Sequence, residues 1–334
     1  MNVPVSTYQL PTGLSQQVDA YRASKIARLD DVLRALDTND DHPWSAAASA
    51  DLPLRYALAH QVFEAASRAV QDQDTEAIGA AMMLRSEESA LDPIQTDAGP
   101  IVVLHPAWAA LTDDAALDED AARTAAPVAI ASAELHAAAT AADRDLVRRA
   151  LGSAVAAGFG STVARNTRVV ALIAELRPTA AKIRSWTTTS LPATAHLDYF
   201  AEQRYVSREL IHEAAHTELN DLFAASGIAD DLRQSTATFY APWLETERPA
   251  FGFLHGTWAF SHVALYCRWL LDADVTPEIS AVADMMHTRH VKQIHATRQD
   301  FARAVELVRV PELAELITQR RDAALEGASS PVNA

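Results

Sequence analysis

Cysteine is nearly absent. A single thiol, Cys267, in 334 residues excludes an intrachain disulfide and gives no reason to expect an oxidising compartment. It sits in the apolar stretch Ala264-Leu265-Tyr266-Cys267-Arg268-Trp269, where a small buried hydrophobe is expected rather than a nucleophile. Basic residues are also short. Lys and Arg number 28 against 44 Asp and Glu, a net charge of −16, which disfavours general binding of nucleic acid or of an anionic membrane. No apolar run free of charge or His approaches the roughly 18 residues of a membrane span. Met1-Asn2-Val3-Pro4-Val5 has neither the basic region nor the apolar core of a secretory signal. The expectation is a cytoplasmic protein with no nucleic-acid or membrane partner.

Glycine is scarce as well, at 10 residues, while Ala, Leu and Arg are abundant. Many-stranded folds need Gly-rich turns, so this composition predicts helix. Hydrophobic residues at 49% and charged residues at 22% exclude a disordered chain. The expected fold class is all-α, with at most a short strand or hairpin near residues 100–108, where Pro100-Ile101-Val102-Val103-Leu104 reads as extended. Periodicity predicts helices over Leu14–Leu36, Pro53–Asp72 and Thr75–Arg85, and again over 130–143, 144–158 and 160–175. Others follow over Asp198–Ala225 with Gly227 as its cap, over Ala250–Leu271, from Pro277 towards Val308, and over Pro311–Ala324. Residues 1–95 read as an N-terminal helical part without a legible motif. Residues 96–129, rich in Pro and Asp, read as a connector. Residues 130–326 form the helical metal-binding body, either separate from the N-terminal part or one domain with it.

One motif stands out: His212-Glu213-Ala214-Ala215-His216 is His-Glu-x-x-His. On a helix, positions i and i+4 share a face, so both imidazoles can reach one metal ion. Glu213 projects beside that face, where it can act on a metal-bound water or orient a ligand. With 12 His in the chain, this pattern arises by chance only about 0.02–0.03 times. A metal needs a further protein ligand, and the extended motif with a third His after a Gly is absent. His255 on the next helix is the first candidate. His262, seven residues on, and a carboxylate such as Glu245 or Glu247 are the alternatives. Gly256 predicts a close approach of another helix beside His255. Nine aromatic residues fall within 239–269, where a 7% average predicts about two. Tyr240 and Trp243, in an expected loop between the two His-bearing helices, are candidate walls of a substrate pocket.

These residues, in this order, resemble a known family. The matching segments are Leu210-Ile211-His212-Glu213-Ala214-Ala215-His216-Thr217-Glu218-Leu219-Asn220, Tyr240-Ala241-Pro242-Trp243, Arg248-Pro249 and Leu254-His255-Gly256-Thr257-Trp258-Ala259-Phe260. Together they are similar to the His-Glu-x-x-His peptide-modification proteins encoded beside ribosomal peptide natural products. The resemblance is close over about sixty residues and loose over the rest of the chain from about Ile130. It implies a helical scaffold and an iron(II)- and 2-oxoglutarate-dependent oxygenase, with molecular oxygen as co-substrate. The implied partner is a ribosomal precursor peptide, hydroxylated on a β-carbon. In that setting His212, His216 and His255 hold iron and Glu213 is a site residue of unassigned role. A semi-buried distal carboxylate of the cosubstrate calls for an Arg, for which Arg248 is the first candidate, with Arg165, Arg168, Lys182, Arg289 and Arg298 as alternatives.

Two other readings share the motif. A zinc metallopeptidase would use His212 and His216 as ligands and Glu213 as general base. A non-enzymatic helical peptide-binding protein would carry a closed structural metal site, for which His262 beside His255 supplies extra donors.

Overall fold

The computed structural model describes residues 9–36, 44, 46–86, 91–106, 128–176 and 183–326. It corrects the expected fold class: the chain is α/β, with a five-stranded mixed sheet and a separate two-stranded hairpin beside its helices. Four helices come first: α1 (Thr12–Leu36), α2 (Ala46–Ala50), α3 (Leu52–Gln71) and α4 (Thr75–Ser86). The sheet is built from β1 (Ile94–Thr96), β2 (Gly99–Leu104), β3 (Val169–Glu175), β4 (Ser185–Trp186) and β5 (Thr194–Tyr199), in the order β1-β2-β3-β5-β4. Strands β2, β3 and β5 are parallel, with Val103 opposite Val170 and Val170 opposite Ala195. β1 and β4 are antiparallel edges. The chain passes from β2 to β3 through α5 (Ala133–Ala138), α6 (Ala141–Ala154) and α7 (Gly160–Asn166).

The reason for the difference is physical. Strand β2 fell where an extended segment was expected, but β3 lies inside the stretch 160–175 read as helix. Its Val169-Val170-Ala171-Leu172-Ile173 is buried throughout. A parallel strand covered on both faces shows a continuous apolar run without alternation, which periodicity cannot tell from a buried helix. Parallel strands joined by helical crossovers also need few tight turns, so scarce glycine does not exclude them. Residues 107–127, which hold most of the expected connector and its acidic run, lie outside the described residues.

The described residues fall into two compact units, one within 1–21, 154–163 and 210–334 and the other within 22–153 and 164–209. The second contains the five-stranded sheet. Its core joins Ile26, Leu33, Leu54 and Val62 to Val102, Leu104, Val169 and Ile173. Asp51 caps α3 by accepting from the Leu54 amide at 2.8 Å. Buried Asp30 accepts from Trp44 Nε1 at 2.9 Å, Arg55 at 3.0 Å and Arg85 at 3.1 Å, a fully polar knot beneath α1.

The first unit carries the His-Glu-x-x-His motif. It holds α8 (Gln203–Ala225) from residue 210 onward, α9 (Ala229–Gln234), the hairpin β6 (Thr238–Ala241) and β7 (Thr246–Pro249), α10 (Ala250–Asp272), α11 (Pro277–Ala296), α12 (Arg298–Val305) and α13 (Pro311–Glu326). Helix α8 ends as expected at Gly227, whose φ of 71° lets the Ile228 amide bond back to Phe223 O at 3.1 Å. The expected loop between the two His-bearing helices is a hairpin instead. Phe239 and Ala241 are buried while Thr238 and Tyr240 are exposed, a period-two pattern only four residues long. The core of this unit gathers Leu14 and Val18 of α1, Leu219, Leu222 and Phe223 of α8, Phe253, Leu254 and Trp258 of α10, and Leu313, Leu316 and Ile317 of α13. No helix among the described residues is long and apolar enough to cross a membrane.

Candidate functional site

Helix α8 runs 23 residues without Pro or Gly, and it places His212 directly above His216. Their Nε2 atoms approach to 3.2 Å, with the rings edge to face at a centroid distance of 4.7 Å. Metal–nitrogen bonds of about 2.0–2.1 Å set two donors on one ion roughly 3.0–3.4 Å apart, so this pair has the spacing of a chelate. Burial, with His212 next to it, pushes His216 well below its ordinary pKa and holds it neutral, the form that binds metal. Glu213 is buried at 2% exposure, and its Oε1 lies 4.0 Å from His212 Nε2. That is too long for a hydrogen bond but close enough to bias the imidazole electrostatically.

His255 comes from α10. Its Nδ1 lies 3.4 Å from His216 Nδ1, with the two rings stacked at 12°. It therefore meets His216 through the nitrogen that His212 does not approach, so His216 stands between the other two. Among the described residues no group of three His, Cys, Asp or Glu converges on a single point. His255 Nε2 is nevertheless buried with no hydrogen-bond partner. Burial, then His216 and Arg233, hold this ring far below its ordinary pKa. A neutral imidazole with an unsatisfied buried nitrogen is costly unless something binds it.

His262 has another use. Its Nδ1 donates to Trp258 O at 2.8 Å, and its Nε2 accepts from Arg320 Nε at 3.2 Å. Both ring nitrogens are engaged, and Phe159 lies 5.1 Å from the same guanidinium. Glu245 and Glu247 are exposed on the hairpin.

Aromatic rings surround the three histidines. Phe251 is 4.3 Å and Phe223 5.6 Å from His255, and Phe260 is 5.1 Å from His212. Trp243 lies 5.5 Å from Phe260, so the hairpin loop reaches the ring that covers His212. Tyr240 is 46% exposed on the outer face of the hairpin, away from Phe239. The close approach expected at Gly256 comes from the Trp243 indole rather than from a helix. A Cβ at Gly256 would lie 2.3 Å from Trp243 Nε1. One turn earlier, a Cβ at Gly252 would lie 3.1 Å from Arg248 Nε. Gly252 and Gly256 thus form an i, i+4 groove on α10 that seats the turn of the hairpin and β7. Sequence reasoning missed Gly252, Phe251 and Phe260. The glycine pair at helical spacing and the i, i+4 pair Phe251–His255 were the signals that could have found them.

No protein-family model matches the chain. No curated protein matches it either.

Proposed function

We propose that this chain is a cytoplasmic non-haem dioxygenase. It would use iron(II), 2-oxoglutarate and oxygen to hydroxylate the β-carbon of a residue in a ribosomally made precursor peptide. The observation that carries the reading is the 3.2 Å approach of His212 and His216 Nε2, with His255 stacked on the other side of His216 and its own Nε2 buried and unsatisfied. Further support comes from packing: two separate segments of the family-like pattern meet, with Trp243 seated on Gly256.

In this reading His212 and His216 would hold two positions of the ion, and His255 would become the third donor once its ring turns towards them from the other side of His216. When bound, the ion and 2-oxoglutarate supply the oxidation of a peptide C–H bond by oxygen. Each group of the chain has a separate task. Glu213 orients His212 from the buried side. Phe251, Phe260 and Trp243 keep water from the histidines and offer an apolar wall to the peptide. Arg248, lying on the groove face of α10, binds the distal carboxylate of 2-oxoglutarate with its planar fork. The cytoplasm is the proposed compartment because iron(II), 2-oxoglutarate and newly made peptide meet there.

The test needs no peptide. Apoprotein loaded anaerobically with iron(II) should develop a weak visible charge-transfer band on adding 2-oxoglutarate, and His216→Ala should not. No band, with zinc retained from purification, would sink the oxygenase reading in favour of a peptidase with Glu213 as base or a structural site.

A further inference from the structure

The hairpin β6–β7 has one covered edge and one open edge. The Tyr240 amide donates to Asp300 Oδ2 of α12 at 3.2 Å, so it points away from β7. In an antiparallel ladder, backbone groups face the partner at one residue and outward at the next, and opposed residues behave alike. Tyr240 opposes Glu247. The N–H and C=O of Glu247 therefore point outward from the far side of β7. All four residues of β7 are exposed, and among the described residues nothing outside the hairpin bonds to the Glu247 backbone. Open strand edges are templates for another strand.

The surroundings select what would be added. Glu245 and Glu247 give the edge two exposed carboxylates on a chain of net charge −16. Tyr240 at 46% and Leu244 at 38% exposure lie beside them as large apolar groups. Pro249 ends the strand without an amide of its own, so the Glu247 N–H is the only outward donor within β7. The same hairpin reaches towards the histidines through its turn: Trp243 is 5.5 Å from Phe260, which is 5.1 Å from His212.

We propose that the outer edge of β7 takes an extended, Lys- or Arg-bearing segment of a peptide substrate as a third strand. The Glu247 N–H and C=O supply main-chain pairing, and a basic residue opposite Glu247 lies on the same face as its carboxylate. This rests on the reading that the substrate is a peptide.

The probe is a fluorescein-labelled octapeptide of alternating Lys and Thr, with a Glu–Thr octapeptide as control. Binding to the full-length protein is read by fluorescence anisotropy. The Lys–Thr peptide should bind and the Glu–Thr peptide should not. Glu247→Gln keeps the amide and loses the charge, and should weaken binding about threefold. Glu247→Pro removes an amide that the hairpin does not use, and should weaken binding about tenfold or more with the melting temperature kept. Equal binding by wild type and Glu247→Pro would leave only diffuse charge attraction and overturn the proposal, as would no binding of the Lys–Thr peptide. His216→Ala separates the two readings: it should bind the Lys–Thr peptide normally while failing to form the iron–oxoglutarate band. If the wild type binds the peptide but gives no band, the oxygenase reading fails and the edge stands.

Discussion

Replacing Gly256 with Ala tests the joint between the hairpin and α10. The added methyl would lie 2.3 Å from Trp243 Nε1 and 2.4 and 2.5 Å from Cε2 and Cζ2. Nonbonded carbon contacts settle near 3.5–4.0 Å, so the indole must retreat by more than about 1 Å. Retreat costs it contact with Phe253, 5.7 Å away, and Phe260, 5.5 Å away. Overpacking of this kind costs about 1–3 kcal/mol. The same substitution in a helix interior otherwise gains about 0.8–1.0 kcal/mol, because Gly is a poor helix former. Gly256→Ala alone should thus destabilise by about 0–2 kcal/mol. In a Trp243→Ala background the clash is gone, and Gly256→Ala should stabilise by about 1 kcal/mol. Urea unfolding of the four proteins gives a coupling energy of about 1–3 kcal/mol between the two positions. Equal effects of Gly256→Ala in both backgrounds would refute the contact and, with it, the placement of Trp243 beside the histidines.

Two further predictions concern the sheet-bearing unit. Asp30→Ala removes the acceptor shared by Trp44, Arg55 and Arg85 and leaves buried cationic groups without compensation, at a cost of about 3–5 kcal/mol; thermal melts showing a loss below about 1 kcal/mol would mean that the knot is not formed. His196 is fully buried against Trp186, and burial lowers its pKa to about 4. Below its ordinary value near 6.5, the unfolded chain takes up a proton that the folded form refuses, so stability falls as pH drops from 6.5 towards 4. The loss from this group is about 2 kcal/mol at pH 5. His196→Phe keeps the stacking and should flatten the fall in melting temperature between pH 7 and 5; an unaltered slope would show that His196 does not titrate in this way.

What could be read from the sequence was local. The His-Glu-x-x-His pair needs only four residues of helix, and α8 supplies them up to its Gly227 cap. Strand β2 was legible because Pro100 and a run of β-branched residues mark it. Strand β3 was not, since burial on both faces removes the alternation that signals a strand, whereas β5 does alternate polar and apolar residues but over only six positions, its last two read as the start of the following helix. The hairpin was hidden for another reason. Its loop has no Asn-Gly or Asp-Gly pair, and the positive φ of 54° falls on Glu245, a residue that does not advertise a turn. Non-local partners were beyond reach. That the group over Gly256 is Trp243 and that Arg320 occupies His262 depend on contacts across 13 and 58 residues of chain.

The core beneath the histidines has an order of assembly built into it. Leu14 and Val18 share that core with Leu313, Leu316 and Ile317, about 300 residues later in the chain. At roughly 5–20 residues per second, a ribosome takes about 15–60 seconds to make what lies between them. For that interval the core around the start of α1 lacks its α13 wall, and closing so long a loop slows folding once α13 arrives. The start of α1 is therefore completed late while its second half can already pack on α3, and the nascent chain must stay soluble with the Leu14–Val18 stripe in water.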